Sequence, residues 1–303
     1  MIHIFIVNPY AGKKTFADDL REKLKNIDGL NYFVFNTRNA GYETELIDRV
    51  VRIFQGEKLR FYCCGGSGTM RNMLSGFDSL EDVEVAFFPC GLTNDFLKVF
   101  GEKEKLFYDI EELINGEVME VDYIRTNHGI ALNTLSTGLD AHCQTKMESY
   151  RVLTILGRQT PYSLSLLSGI LFAKNNKYTI TVDEETFEDV YTEVFFGNGF
   201  VLGGGLYFDY DANIQDGKFI YSFVKGVYGI KRIKTMLAIG AKNFKKVENI
   251  LQKGMCSQVT IKKTDGTPFV VNHDGELVKD VTEVHAQVIR KGLHLVVPKG
   301  VIS

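Results

Sequence analysis

The sequence predicts an α/β nucleotide-binding domain built on a parallel sheet, followed by a β-rich, sandwich-like domain. Two observations carry this. From Ile2 to about Val121, apolar runs of strand length alternate strictly with runs of helical spacing, the rhythm of a parallel sheet with helices on both faces. Beyond Val121 the runs become short and strand-like, separated by Gly and Asp turns, as in a β-sandwich or barrel. A length of 303 residues agrees with two domains.

Taken in order, Ile2–Val7 alternates as a strand, Asn8–Gly12 turns, and Phe16–Lys25 has helical spacing. Tyr32–Asn36 reads as a second strand. Glu43–Phe54 reads as a helix through Leu46, Ile47, Val50, Val51 and Phe54. Leu59–Cys64 is a third strand, Met70–Phe77 a helix, and Val83–Phe88 a fourth strand. Asp95–Val99 opens another helix. In the second part the expected strands are Ile130–Asn133, Tyr178–Val182, Val190–Gly197, Lys218–Val224, Gln258–Lys262, Pro268–Asn272, Glu283–Ile289 and Leu293–Val297. Two helical stretches interrupt them, Leu139–Ala173 and Tyr228–Phe244. The boundary falls near 122–126, giving domains 1–124 and 125–291, with a tail of about 292–303 expected to pack back onto the first.

Composition narrows the function classes. Net charge is −3 and the isoelectric point about 6.1, so there is no basic excess of the kind nucleic-acid partners require. The cysteines, Cys63, Cys64, Cys90, Cys143 and Cys256, are odd in number and form no C-x-x-C pair, which fits a reduced, cytoplasmic protein. The N-terminus has no basic leader, so no signal peptide is expected. The longest mostly apolar stretch, Tyr162–Ala173, is too short to span a bilayer, so any membrane contact is peripheral.

The chemistry concentrates in turns. Gly65-Gly66-Ser67-Gly68-Thr69 stands between a strand and a helix, where glycines let backbone N–H groups approach a phosphate and the helix dipole favours its charge. The run lacks the G-K-[ST] of a P-loop and the third glycine of a dinucleotide fingerprint, which is Arg71 here. Pro89–Asp95, with Gly91, Thr93, Asn94 and Asp95, repeats the arrangement one crossover later, and Asn8–Gly12 follows the first strand. Three such turns on one rim point to a nucleotide phosphate site, although N-capping alone also explains Thr93 or Asn94. Asn272-His273-Asp274-Gly275-Glu276 offers a carboxylate pair, or simply a D-G hairpin turn.

The segments VNPYAG, GGSGT, PCGLTNDF, NTLSTGLDA, FFGNGFVLGGGLYF, ANIQDGKF and NHDGELV, in that order, resemble the soluble bacterial diacylglycerol kinases and related lipid kinases over nearly the whole chain. The resemblance implies a nucleotide domain, a β-rich domain and an active site in the cleft between them. It implies ATP and Mg²⁺ as cofactors and transfer of the γ-phosphoryl group to a lipid hydroxyl. By position, Asp274 matches the general base and Glu276 its acidic partner. Asp95, Asp122 and Glu276 match a carboxylate network around Mg²⁺, and Asp216 a structural Mg²⁺ site. Asn8, Gly12, Gly65, Gly66, Ser67, Gly68, Thr69, Gly91, Thr93 and Asn94 match nucleotide contacts. Two departures remove negative charge: Ser67 stands where the family loop has aspartate, and Arg71-Asn72 where N-E is usual.

The expectation is therefore an ATP-dependent lipid kinase of phospholipid metabolism, slowed by Ser67. It is expected in the cytoplasm, meeting a substrate such as diacylglycerol at the membrane surface, without nucleic acid, and as a homodimer. The alternatives are a non-catalytic nucleotide- or lipid-binding homologue, and a kinase of another hydroxyl substrate, since NAD kinases share the G-G-D-G-T loop.

Overall fold

The computed structural model describes residues 1–11, 15–39, 41–91, 94–150, 153, 160–202, 206–207 and 212–302. The chain forms two compact units, Met1–Tyr123 with Arg290–Ser303, and Ile124–Ile289.

The first unit runs β1 (Ile2–Val7), α1 (Phe16–Lys25), β2 (Tyr32–Asn36), α2 (Tyr42–Ile53), β3 (Leu59–Gly65), α3 (Ser67–Leu74) and β4 (Glu84–Pro89). A run of 3-10 turns follows at Asp95–Tyr108, kinked at Gly101, then α4 (Ile110–Ile114) and most of β5 (Glu117–Thr126). The end of the chain's last strand, β17 (Glu283–Val297), and α8 (Lys299–Ile302) complete the unit. The sheet order is β2-β1-β3-β4-β17, and every neighbouring pair is parallel. Strands buried on both faces need continuous apolar runs. Ile4 to Val7, Phe61 to Cys64 and Val85 to Phe87 supply them, and Phe5 stacks on Tyr62 at 4.3 Å. Burying one such large side chain contributes about 1.5–3 kcal/mol.

This order fixes where a ligand can sit. β1 connects through α1 to β2 on one side, and β2 connects through α2 to β3 on the other side of β1. The connections diverge above the C-terminal ends of β1 and β3, leaving a crevice at that switch point.

The second unit holds the last residues of β5, β6 (Gly129–Ala131), β7 (Thr134–Gly138), α5 (Leu139–Tyr150), α6 (Thr160–Phe172), β8 (Asn176–Val182), β9 (Glu185–Gly197), β10 (Val201–Leu202) and β11 (Leu206–Tyr207). It continues with β12 (Phe219–Lys225), α7 (Gly229–Gly240), β13 (Leu251–Cys256), β14 (Gln258–Lys263), β15 (Phe269–His273), β16 (Glu276–Val281) and the first part of β17. Antiparallel pairing runs β16-β15-β7-β9-β8-β14-β17, and β12 joins β9 to β13. Tyr178, Ile180, Tyr191, Phe196 and Phe223 anchor its main core, while α5, α6 and α7 close a smaller one around Leu139, Cys143, Val227 and Ile239.

Several elements differ from the sequence expectation: β5, β7, β13 and β16 had no expected counterpart, and the helix expected from Asp95 is a run of 3-10 turns. α3 starts at Ser67 and not Met70, because Gly66 is extended as its N-cap and its carbonyl accepts from Met70 N–H at 3.0 Å. The helical stretch expected over Leu139–Ala173 holds two helices, α5 and α6. Glu283–Ile289 and Leu293–Val297 are one strand: Lys291 takes the break as a left-handed residue (φ 50°), and its N–H still finds an acceptor, Asp122 Oδ1, at 2.6 Å.

Candidate active site

The rim at the switch point is built turn against turn. Asn8 follows β1, and its N–H donates to Cys64 O at 3.0 Å. Its Nδ2 donates to Thr69 Oγ1 at 3.0 Å, and its Oδ1 accepts from Tyr10 N–H at 3.0 Å. One side chain thus ties the first turn to the start of α3. Cys90 and Gly91 N–H both donate to Gly65 O, at 2.8 and 3.2 Å, which ties in the third turn. A Cβ on Gly91 would lie 2.6 Å from Gly66 Cα, and a Cβ on Gly65 would lie 2.6 Å from Thr69 Oγ1. Packing of the turns alone therefore demands these glycines. They are not evidence of a phosphate by themselves.

What the packing achieves is a cluster of polar groups on a fixed frame. The first N–H groups of α3, from Ser67, Gly68 and Thr69, have no partner within the helix and sit at its positive end. Asn94 is buried; its Nδ2 donates to Gly91 O and Tyr108 Oη, and its Oδ1 has no hydrogen-bond partner. Asp95, also buried, opens the 3-10 run beside it. Arg71 donates to Asn72 Oδ1 at 3.0 Å. Gly12 and Thr93 lie outside the described residues.

The acidic turn of the second unit joins β15 to β16. His273 pairs with Glu276, leaving Asp274 and Gly275 as a two-residue loop, with φ of 52° and 93°. Two positive φ values are the signature of a type I′ hairpin, which Asp-Gly favours. The hairpin reading thus holds, but the turn also does more. The Asp274 carboxylate, 6% exposed, accepts from three successive backbone N–H groups: Leu132 at 2.5 Å, Asn133 at 3.0 Å and Thr134 at 2.7 Å. Asp274 N–H returns a bond to Thr134 O at 3.1 Å. Glu276, half-buried, opens β16 beside it.

Of the other acidic candidates, Asp122 stands apart from the rim of its own unit. Asp122 is fully buried on Lys291 N–H. Lys291 precedes His294, the partner of Glu84 at the start of β4, so Asp122 lies toward the N-terminal end of the ladder whose C-terminal end forms the rim. Asp216 Oδ1 accepts from Lys218 N–H at 2.9 Å within a turn. Among the described residues, no group of three His, Cys, Asp or Glu side chains is placed to hold a metal. Sequence reasoning missed Asp140, Gln144 and Glu193. The only signal was the acid that follows the strand end in NTLSTGLDA.

An α/β unit with polar, glycine-packed turns at its switch point, followed by an antiparallel unit bearing a buried acidic turn, defines a kinase-like, two-domain class. Residues 3–126 match the profile of the diacylglycerol kinase catalytic domain, and residues 133–297 that of the YegS C-terminal NAD kinase beta sandwich-like domain. The chain belongs to this diacylglycerol kinase-like family. The Bacillus subtilis (strain 168) protein named "Putative lipid kinase YtlR" is 26% identical over 293 residues, covering 90% of this chain and 93% of its own. "Putative lipid kinase SA0681" of Staphylococcus aureus (strain N315) is 25% identical over 158 residues, 52% of this chain and 51% of its own. The solved structure of "a putative diacylglycerol kinase from Bacillus anthracis str. Sterne" superposes with a TM-score of 0.75 over 99% of this chain and 96% of that one. At 23% identity that likeness speaks for the fold.

Proposed function

We propose that this chain is an ATP-dependent lipid kinase that phosphorylates a hydroxyl of a lipid such as diacylglycerol, working peripherally on the cytoplasmic face of a membrane. The observation that carries the reading is the switch-point rim, packed from three turns, in a chain whose two halves match the two domain profiles of one kinase-like family. The N-terminus of α3 and the Asn8 and Asn94 turns receive the nucleotide phosphates. Mg²⁺ fits the donors present only sparsely. Asp95 gives one hard carboxylate and Ser67 a hydroxyl, and the ion ordinarily completes six ligands with phosphate oxygens and water. When bound, it neutralises charge on the transferring phosphoryl group. Asp274 accepts the proton of the attacking hydroxyl, which a primary alcohol must lose to become an effective nucleophile.

A second reading, a nucleotide- and lipid-binding protein without turnover, is favoured by Ser67 and by the backbone donors that already engage Asp274. Phosphoryl transfer from ATP, assayed with diacylglycerol in mixed micelles and with NAD as a soluble acceptor, separates the readings. The kinase reading expects transfer to the lipid and not to NAD. It also expects Asp274→Asn to cut turnover by about 10²–10⁴-fold with ATP affinity unchanged. ATP binding without transfer to any acceptor would leave the second reading.

A further inference from the structure

The Asp274–Gly275 turn is held from both sides. On one side are the N–H groups of Leu132, Asn133 and Thr134. On the other is a chain of hydrogen bonds that begins on α5. Gln144 Nε2 donates to Gly275 O at 2.5 Å. Gly275 N–H donates to Asn272 Oδ1 at 2.8 Å, and Asn272 Nδ2 donates to Asp140 Oδ2 at 2.6 Å. Ser136 Oγ donates to the same carboxylate oxygen at 2.6 Å, and Asp140 N–H donates to Glu193 Oε2 at 2.8 Å. Two residues of one helix therefore grip both polar groups of Gly275, one directly and one through Asn272.

The arrangement has a direction. The Asn272 amide can bond Gly275 N–H only with its oxygen, so its nitrogen must face Asp140. A carboxylate accepts and never donates, so it admits only that orientation. An amide at position 140 would accept either, and the flipped Asn272 would set its NH₂ against Gly275 N–H. Charge at Asp140 thus selects the geometry of a turn more than 130 residues later in the chain. The neighbouring acid supports this division. Burial, reinforced by the charge on Asp140, pushes the Glu193 carboxyl well above the usual carboxylate range. Burial also raises Asp140, but the bonds from Ser136 and Asn272 favour its ionised form. Both acids are raised by burial, and the bonds that Asp140 accepts from Ser136 and Asn272 are those a carboxylate makes.

We infer that Asp140 and Gln144 are positioning residues for Asp274, orienting its turn through Asn272 and Gly275. The inference rests on the kinase reading for its consequence, not for its geometry. The competing role is local: an acid in the first turn of α5 also favours the helix dipole.

The test uses the full chain with Asp140→Asn and Gln144→Met. Amide hydrogen exchange reads the turn, and kcat, KM for ATP and KM for diacylglycerol read its consequence. Asp140→Asn should cost Gly275 N–H at least about tenfold of its exchange protection, while the interior of β9 stays protected. kcat should fall about 10–100-fold with both KM values within about twofold. Asp140→Asn combined with Asp274→Asn should be no slower than Asp274→Asn alone, because both act through one group. Gln144→Met should show the same pattern more weakly, and it decides the matter if the Asp140 variant fails to fold. Unchanged Gly275 protection, or losses that add in the double variant, would overturn the inference. If the wild-type protein transfers no phosphate but Gly275 protection still falls in the variants, the positioning holds and the kinase reading is what fails.

Discussion

On the proposed kinase reading, Ser67 is the residue on which turnover depends most directly. It is the first residue of α3, half-buried, where the family loop carries an acid. With Asp122 toward the other end of the ladder, Asp95 is the carboxylate the first unit brings to the rim. Restoring the acid with Ser67→Asp adds a hard, charged ligand. It also places negative charge at a helix N-terminus, worth about 0.3–1 kcal/mol. Mg²⁺ should then saturate ATP turnover at a concentration lower by about tenfold, while metal-free ATP binds less well because the new charge faces the phosphates. Titrating Mg²⁺ at fixed ATP separates the two effects. Arg71, one turn along α3, is the group that could absorb the new charge as an i,i+4 pair. An unchanged Mg²⁺ dependence would place residue 67 away from the metal. At this scale the local pattern carried less than the tertiary contacts did. Asp274 was legible as a turn residue and as a carboxylate candidate. Its three N–H donors come from a segment about 140 positions away, a tertiary fact that no local pattern encodes.

Elements were legible where one signal dominated. β1, α1 and β2 follow the periodicity of their apolar residues, and tertiary packing confirms it. Errors arose where a turn residue was read as a stop. Lys291-Gly292 looks like a loop, yet Asp122 supplies the acceptor that lets β17 continue. Gly66 and Gly68 look like loop, yet one caps α3 and the other is inside it. The join between α6 and α7 shows the same dependence on a distant partner. Arg232, buried on α7, donates to Val227 O at 3.0 Å, Ala173 O at 2.7 Å and Asn175 Oδ1 at 2.6 Å. A guanidinium fork thereby satisfies carbonyls just past the C-terminal end of α6. Arg232→Met keeps the apolar stem and strands these acceptors. It should cost about 3 kcal/mol, roughly 6–12 °C in Tm. Arg232→Lys should recover only part, because an ammonium lacks the planar fork. A Met variant that melts within about 1 °C of the wild type would show that solvent replaces the bonds without cost.

Charge is distributed unevenly over the molecule, and this bears on the peripheral membrane contact proposed above. The chain carries a net charge of −3, so an anionic surface repels it on average. Yet residues 160–174 and 228–247 contain no Asp or Glu, while carrying Lys174, Lys231, Lys234, Lys242, Lys245 and Lys246. The same two segments expose the wrong side chains for water. α6 buries Ser165, Ser168 and Gly169 and exposes Leu167, Leu171 and Phe172, the last at 70%. α7 and its lead-in expose Tyr228, Ile230 (71%) and Leu237 (67%). A helix that buries its small polar residues and presents its large apolar ones suits a bilayer interface, with lysines beside anionic headgroups. No helix among the described residues is long and apolar enough to cross a membrane, so the proposed contact is lateral. Each lysine near an anionic bilayer contributes about 1 kcal/mol. Lys231→Glu with Lys234→Glu should therefore weaken co-sedimentation with phosphatidylglycerol vesicles by more than about tenfold and flatten its salt dependence. Ile230→Ser with Leu237→Ser should weaken binding without altering the salt dependence. Pure phosphatidylcholine vesicles should bind poorly. If the face instead joins two copies of the chain, the apolar substitutions would convert a dimer to a monomer in sedimentation velocity, and neither pair of substitutions would change vesicle binding.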